Sequence, residues 1–203
     1  LNLSHYTARW EERFEEDDLA SYQGVKDPIN AIYRFETDGI LQLNQEVPAW
    51  QPAAASTPGS PLFVDQNGDG VLDSADVVLY DQTPKLSIGF GNTFRYKNFD
   101  LSIFLYGQIG AYRVNYSLTW ASPSEFLPGV QSATTDIKDA WSTENQGGTL
   151  PGSTYNESVF AASTVGNVSG VASDYNVMRA DFLRCRNLTL GYTFDQPVVR
   201  RTF

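Results

Sequence analysis

Leu86-Ser87-Ile88-Gly89-Phe90-Gly91-Asn92-Thr93-Phe94-Arg95-Tyr96-Lys97-Asn98-Phe99-Asp100-Leu101-Ser102-Ile103-Phe104-Leu105-Tyr106-Gly107-Gln108-Ile109 is the stretch on which the fold turns. In its first half Leu86, Ile88, Phe90, Phe94 and Tyr96 alternate with Ser87, Gly89, Gly91, Thr93 and Arg95, the two-residue period of a strand. Beyond Lys97-Asn98, the residues Phe99, Leu101, Ile103, Leu105 and Ile109 alternate with Asp100, Ser102, Phe104, Tyr106 and Gln108. The two runs read as one hairpin over 86–110. Each run is about ten residues, the length at which a tilted strand crosses a bilayer. Strands of soluble sandwiches are roughly half as long.

Working outward, Tyr112, Val114, Tyr116 and Leu118 alternate with Arg113, Asn115 and Ser117, which predicts that the second strand continues past a bend at Gly107 and Gly110. A further strand is expected over 182–194, with Leu188, Leu190, Tyr192 and Phe194 on one face and Asn187, Thr189, Gly191 and Thr193 on the other. Its upstream half carries Arg184 and Arg186 and is too charged for lipid. Residues 1–10 form a weaker strand candidate, because His5 and Arg9 interrupt the alternation begun by Leu1 and Leu3.

Between these strands lie two long segments, 13–84 and 119–179, rich in Pro, Gly, Ser, Thr, Asn and acidic residues. Walking the chain as strand, long loop, strand, short turn, strand, long loop, strand puts both long segments at one end. Short turns at one end and long external loops at the other are the asymmetry of outer-membrane barrels. The fold class read from the sequence is therefore all-β, antiparallel strands of a partial transmembrane β-barrel with long extracellular loops. Asp195 to Arg201 would begin another periplasmic turn. No open sheet edge can face lipid, so the strands require neighbours beyond this sequence. The chain opens on Leu1 with no hydrophobic leader before it, and it is expected to be a fragment of a longer protein.

Composition bounds the function. Aromatic residues make up 13%, with 16 glycines and 11 tyrosines, favouring strands over packed helices. No run of apolar residues is long enough for a membrane helix. A formal charge of −10 and a pI near 4.4 oppose nucleic acid as a partner. The acidic run Glu11, Glu12, Glu15, Glu16, Asp17 and Asp18 reads as solvated charge, as do Arg200 and Arg201. The one cysteine, Cys185, allows no internal disulfide and reads as a small filler. The one histidine, His5, excludes a His-rich metal centre, no phosphate loop is present, and no carboxylate pair stands out as an acid and a base. An enzyme is not expected.

One motif carries chemistry. Asp65-Gln66-Asn67-Gly68-Asp69-Gly70-Val71-Leu72-Asp73-Ser74-Ala75-Asp76 matches the twelve-position calcium loop. Calcium takes six to eight hard oxygen ligands. Asp65, Asn67, Asp69, the Val71 carbonyl, Asp73 and Asp76 supply them around a turn that Gly70 permits, while Leu72 would anchor the loop to packing beneath it. Asp76 stands where the motif favours Glu and reaches the ion less readily, so affinity is expected to be weak. A Ca2+ ion here would be structural, and the competing reading is a metal-free Asp/Asn/Gly turn.

Three ordered stretches resemble the SusC/RagA family of TonB-dependent outer-membrane transporters. Tyr33-Arg34-Phe35-Glu36-Thr37-Asp38-Gly39-Ile40-Leu41 is similar to one family segment and is followed by Phe63-Val64-Asp65-Gln66-Asn67-Gly68-Asp69-Gly70. Thr83-Pro84-Lys85-Leu86 leading into Tyr96-Lys97-Asn98-Phe99-Asp100-Leu101-Ser102 resembles the family hairpin, and residues 182–193 a later strand. The resemblance implies a whole protein with a ~22-stranded barrel in outer-membrane lipid of the cell outer membrane. It also implies a plug, a TonB box, coupling to the TonB complex, and a SusD-like lipoprotein partner for importing glycan or peptide substrates. The fragment alone is then expected neither to fold stably nor to transport. Loop aromatics Trp50, Trp120, Trp141 and Tyr155 become weak candidate ligand contacts, since aromatic faces stack on sugar rings, while the commoner fate of a loop aromatic is to pack the loop against itself. An alternative from another class is a secreted calcium-dependent adhesion or dockerin-like assembly module, built on residues 65–76; that fold needs two such loops flanked by helices.

Overall fold

The structure is a computed structural model that describes residues 1–13, 19–119, 132 and 134–194. In chain order its strands are β1 (Asn2–Ser4), β2 (Ala31–Phe35), β3 (Thr37–Ile40), β4 (Pro61–Phe63), β5 (Val77–Asp81), β6 (Leu86–Tyr96), β7 (Phe99–Ile109), β8 (Tyr112–Val114), β9 (Thr164–Val165), β10 (Val168–Ser169), β11 (Ala172–Ser173), β12 (Val177–Arg179) and β13 (Phe182–Tyr192). Two short helices, α1 (Tyr116–Thr119) and α2 (Glu157–Ala162), complete the regular elements used below. The architecture is all-β with mainly antiparallel sheets. The chain divides into two compact units, one of Leu1–Ala8, Thr83–Tyr112 and Arg179–Phe203, the other of Arg9–Gln82 and Arg113–Met178.

The first unit is a four-stranded antiparallel sheet in the order β1-β6-β7-β13. Its register sorts side chains cleanly, because residues directly opposite each other share a face. Phe94, Leu101 and Leu190 are cross-strand neighbours, as are Tyr96, Phe99 and Tyr192, Phe90, Leu105 and Cys185, and Ile88 with Leu3. The opposite face carries Ser87, Gly89, Gly91, Thr93 and Arg95 against Gln108, Tyr106, Phe104, Ser102 and Asp100, and then Phe182, Arg184, Asn187, Thr189 and Gly191. One face is thus mainly apolar across all four strands, Asn92 opposite Ile103 being its polar member, and the other is polar or small, with Phe104 and Phe182 as its large apolar members.

A β-bulge preserves that sorting. Pairing of β13 with β7 steps from Cys185 opposite Leu105 to Asn187 opposite Phe104, leaving Arg186 as the extra residue. Leu183 and Leu188 therefore share the apolar face although five positions apart. Arg184 stacks over the Phe182 ring at 5.5 Å and Arg186 over the Tyr106 ring at 4.8 Å, so both guanidiniums sit on the polar face. The two charges that made the upstream half of this strand unfit for lipid are turned away from the apolar side.

Lys97, with φ of 54°, and Asn98 make the two-residue turn between β6 and β7. At the far end Gly110 takes φ of 86°, a left-handed value that stops β7, and its amide donates to Asp181 Oδ1 at 2.6 Å. The expected continuation through Leu118 does not form as one strand: β8 pairs with β12, and Tyr116–Thr119 is a helical turn. Of residues 1–10 only Asn2–Ser4 is a strand.

The second unit shows that the long segments 13–84 and 119–179 have internal structure. It holds a three-stranded sheet, β11-β2-β5, the pair β3-β4 and the pair β9-β10. β11 from the later segment lies parallel to β2 from the earlier one, Ser173 opposite Phe35. Phe35, Ala55, Phe63 and Leu72 from the first segment are buried together with Tyr155, Phe160, Val165, Val168 and Val171 from the second. At its centre the Phe63 and Phe160 rings stack at 4.6 Å, with Phe35 edge-on to both at 6.2 and 6.3 Å. Asp174 fastens the same segments by polar contacts: Oδ1 accepts from Thr37 N and Oγ1 at 2.9 and 2.6 Å, and Oδ2 from Tyr80 at 2.6 Å.

Phe160 touches three other aromatic rings and is fully buried, so Phe160→Ala in the full-length protein is expected to cost the second unit about 3–5 kcal/mol. Limited proteolysis with mass mapping checks this; cleavage within 9–82 and 113–178 should rise steeply, and unchanged resistance would contradict the assignment of a single shared core.

Candidate functional site

The calcium-type sequence forms a compact turn between β4 and β5. Gly68 and Gly70 have φ of 76° and 83°, left-handed values that explain glycine at both places. Asp65 accepts from the amides of Gly68 and Gly70, both at 2.7 Å, through its two oxygens. Asn67 Oδ1 accepts from Asp69 N at 3.0 Å, Asp69 Oδ1 from Val71 N at 2.9 Å, and Asp73 Oδ1 from Ala75 N at 2.7 Å. Asp76 is fully buried and accepts from Gln66 N at 2.8 Å and Asp73 N at 2.7 Å. Leu72 is buried in the shared core, where the sequence predicted an anchor.

The turn is also tied sideways. Gln66 Nε2 donates to Glu36 at 2.5 Å, and Ser74 N donates to Asn167 Oδ1 at 3.3 Å. Among the described residues no three His, Cys, Asp or Glu side chains stand together in a way that could hold a metal ion. The donor chemistry, all hard oxygens, suits calcium; the positioned carboxylates are engaged by main-chain amides. The element that follows is the short turn Ser74–Asp76 and then strand β5, so the flanking helix that a dockerin-like module requires is not there.

The candidate ligand aromatics separate by burial. Tyr155 is 1% exposed and Trp141 6%, the latter with Nε1 donating to Gln42 at 2.9 Å. Both are interior residues with their rings covered by protein, the packing role that the sequence weighed against ligand contact. Trp120 lies outside the described residues. Trp50 remains half-buried, Nε1 donating to the Phe63 carbonyl at 2.8 Å. It lines a groove of about 450 Å³ with Asp38, Gln45, Asp65 and Gly70, and a second of about 360 Å³ is found on the first unit. Trp50 is the half-buried candidate, placed at a concave surface.

Two polar residues were invisible to motif reading. Glu157, on α2, is buried, its Oε2 accepting from Tyr155 at 2.5 Å and Ser173 Oγ at 2.6 Å and its Oε1 from Ser173 N at 2.9 Å. Burial pushes its carboxyl above the ordinary value, and these three donors offset only part of that. Burial likewise raises the Tyr155 phenol. Arg34 sits in the middle of β2, and the one available signal was a charge inside the otherwise apolar run Ile32-Tyr33-Arg34-Phe35. Beside it the Tyr33 phenol is pushed up to about 12, by burial first and then by its 2.5 Å bond to Asp27.

No protein-family model matches the chain. TonB-dependent receptor P3 of Formosa agariphila is 29% identical over 176 residues, covering 86% of this chain and 16% of that protein. TonB-dependent receptor SusC of Bacteroides thetaiotaomicron is 32% identical over 146 residues, covering 70% of this chain and 12% of that protein. Among solved structures, the RagAB peptide importer in its closed-closed state aligns with 82% of this chain and 16% of its own at 18% identity and a TM-score of 0.46. The chain thus spans 16% and 12% of the length of these two curated relatives.

Because burial penalises the Glu157 carboxylate only in the folded state, that state holds the proton more tightly than the unfolded one. Its stability contribution is complete below the ordinary glutamate value of 4.5 and is lost as pH rises through the raised value. Thermal unfolding of the second unit in the full-length protein should therefore shift to lower temperature as pH climbs from about 4.5, and Glu157→Gln should flatten that slope. A slope unchanged by the substitution would assign it to other groups.

Proposed function

We propose, from the premise that the chain is a SusC/RagA-like segment of a TonB-dependent receptor, that it supplies a stretch of barrel wall and an external ligand-facing body to an outer-membrane nutrient importer. The observation that carries this reading is the uncovered apolar face of β1-β6-β7-β13. Phe94, Leu188 and Leu190 on that face are 57%, 66% and 71% exposed. A water-soluble sheet would bury such a stripe against a second layer. Turned toward acyl chains, the same stripe needs no cover, and the polar face would line the lumen.

Dimensions agree with that assignment. β6, β7 and β13 are 11 residues each, about 37 Å at ~3.4 Å per residue. Tilted by ~40°, such a strand crosses about 28 Å, enough for the ~25 Å apolar band of a barrel. Tyr96, Phe99, Tyr192 and Phe194 cluster at the turn end, Phe99 and Tyr192 with ring centres 4.7 Å apart and Tyr192 and Phe194 4.8 Å apart. Amphipathic aromatics are favoured at the headgroup level.

For the whole protein the reading entails uptake of an oligomeric nutrient, glycan or peptide, powered through TonB and covered by a SusD-like lipoprotein. Trp50 at its groove is the aromatic contact this reading keeps. The loop of Asp65, Asn67, Asp69, Val71, Asp73 and Asp76 is assigned a structural calcium ion, which would draw carboxylate oxygens off the amides they now accept from.

Leu188 and Thr189 are neighbours on opposite faces near the middle of β13. Leu188→Arg is expected to cost about 2–4 kcal/mol and to reduce heat-modifiable barrel in outer-membrane fractions, whereas Thr189→Arg, on the lumen side, should be tolerated. Equal tolerance of both would remove the membrane assignment. For the ion, calcium titration of the full-length protein should give saturable binding that Asp65→Ala with Asp69→Ala abolishes, and identical isotherms would leave residues 65–76 as a metal-free turn.

A further inference from the structure

A cleft of about 440 Å³ opens in the second unit beside β2, and Tyr22, Tyr33, Arg34, Gln82, Arg113 and Tyr116 are among the residues that line it. Its size falls within the ~300–1,000 Å³ of small-molecule sites. Two of its side chains are guanidiniums, three are phenols, and no lining residue is Asp or Glu. In a chain with 24 acidic and 14 basic residues, a concavity lined by two guanidiniums and by no carboxylate of its own stands out, Asp27 being held behind it by the Tyr33 hydroxyl.

Arg34 is fixed rather than floating. Its Nη1 donates to the Tyr33 carbonyl at 2.8 Å, and its Nε is buried without an acceptor among the described residues. No ion pair to a carboxylate is found for it among those residues, although its charge acts on the buried Glu157 carboxylate, which is itself held by Tyr155 and Ser173. Across the cleft Arg113 donates to the Gln82 carbonyl. The Tyr22 and Tyr33 rings meet at 5.4 Å with a 59° tilt, and Tyr116, 70% exposed, stands at the rim. A held guanidinium presents a planar fork that matches a carboxylate, and phenol faces offer flat apolar area beside it.

We propose that this cleft is a subsite for a uronate-bearing oligosaccharide, its carboxylate paired with Arg34 and its pyranose ring lying on tyrosine faces. The inference deepens the uptake reading and rests on it. A sugar acid is favoured over an acidic peptide because β2 is hydrogen-bonded on both sides, to β11 and to β5, and offers no edge to which a peptide could add as a strand.

The test is calorimetric titration of the full-length, detergent-purified protein with trigalacturonate, its methyl ester, and triglutamate as probes. Trigalacturonate should bind at least about ten-fold more tightly than the ester, the scale of one charged hydrogen-bonded pair. Arg34→Gln should erase that preference while leaving ester binding in place, and Arg34→Lys should keep part of it. Tyr116→Ala, at the rim and away from the core, should weaken acid and ester alike. Equal binding of acid and ester, a preference that survives Arg34→Gln, or triglutamate matching the sugar acid would each overturn the proposal. Failure of the uptake reading is recognised separately, as absence of the protein from outer-membrane fractions, whatever the titrations give.

Discussion

Cross-strand register in the β1-β6-β7-β13 sheet is the constraint on which the rest depends. Side chains change face with every residue, so a slip of one position would move Leu101, Leu188 and Leu190 to the polar side and Ser102, Asn187 and Thr189 to the apolar side. The two-residue turn at Lys97-Asn98 fixes β6 against β7, and the bulge at Arg186 fixes β13. Without that extra residue, Arg186 would stand on the same side as Leu188. The bulge therefore does for β13 what alternation, broken on the apolar side of β6 by Asn92, does for β6 and β7.

A sheet with one greasy face and two open edges is not stable by itself. Among the described residues β1 and β13 each have a partner on one side, and the remaining amides and carbonyls have no water to turn to in a hydrocarbon layer. Closure by further strands satisfies both demands at once. That is why the exposure of Leu188 and Leu190 fits a barrel wall and is difficult to reconcile with a self-contained soluble sheet.

The sequence made the sheet legible and hid the second unit. Residues 86–109 repeat one pattern over two spans, and a two-residue period survives any reasonable window. The core of the second unit has no period: Phe35, Phe63, Leu72, Tyr155 and Phe160 are drawn from points up to 125 positions apart and embedded among Pro, Gly, Ser and Thr. Only tertiary packing assembles them, so segments that look like loops acquire an interior. For the same reason the sequence could not separate Trp141 and Tyr155, which pack inside, from Trp50, which lies at a groove. The cleft around Arg34 was equally hidden, since Arg34 and Arg113 come from different segments.

The acidic and amide residues of the second unit have a further explanation in the backbone. Irregular chain leaves amides and carbonyls without ladder partners, and each must find another. Gln51 bonds the Ala55 and Pro61 carbonyls and the Phe63 amide, Asp27 accepts from Gly24 N, Asp174 from Thr37 N, and Asp76 from Gln66 N and Asp73 N. Several carboxylates of this acidic chain are thus tied to holding turns, which weakens any inference from acidity alone to a cation ligand. The calcium assignment has to compete with those amides for the same oxygens. Arg34 stands on the other side of that argument: main-chain satisfaction accounts for Asp65 and Asp76, whereas the Arg34 guanidinium has its bond to the Tyr33 carbonyl and a buried Nε without an acceptor among the described residues, and a bound carboxylate would complete it.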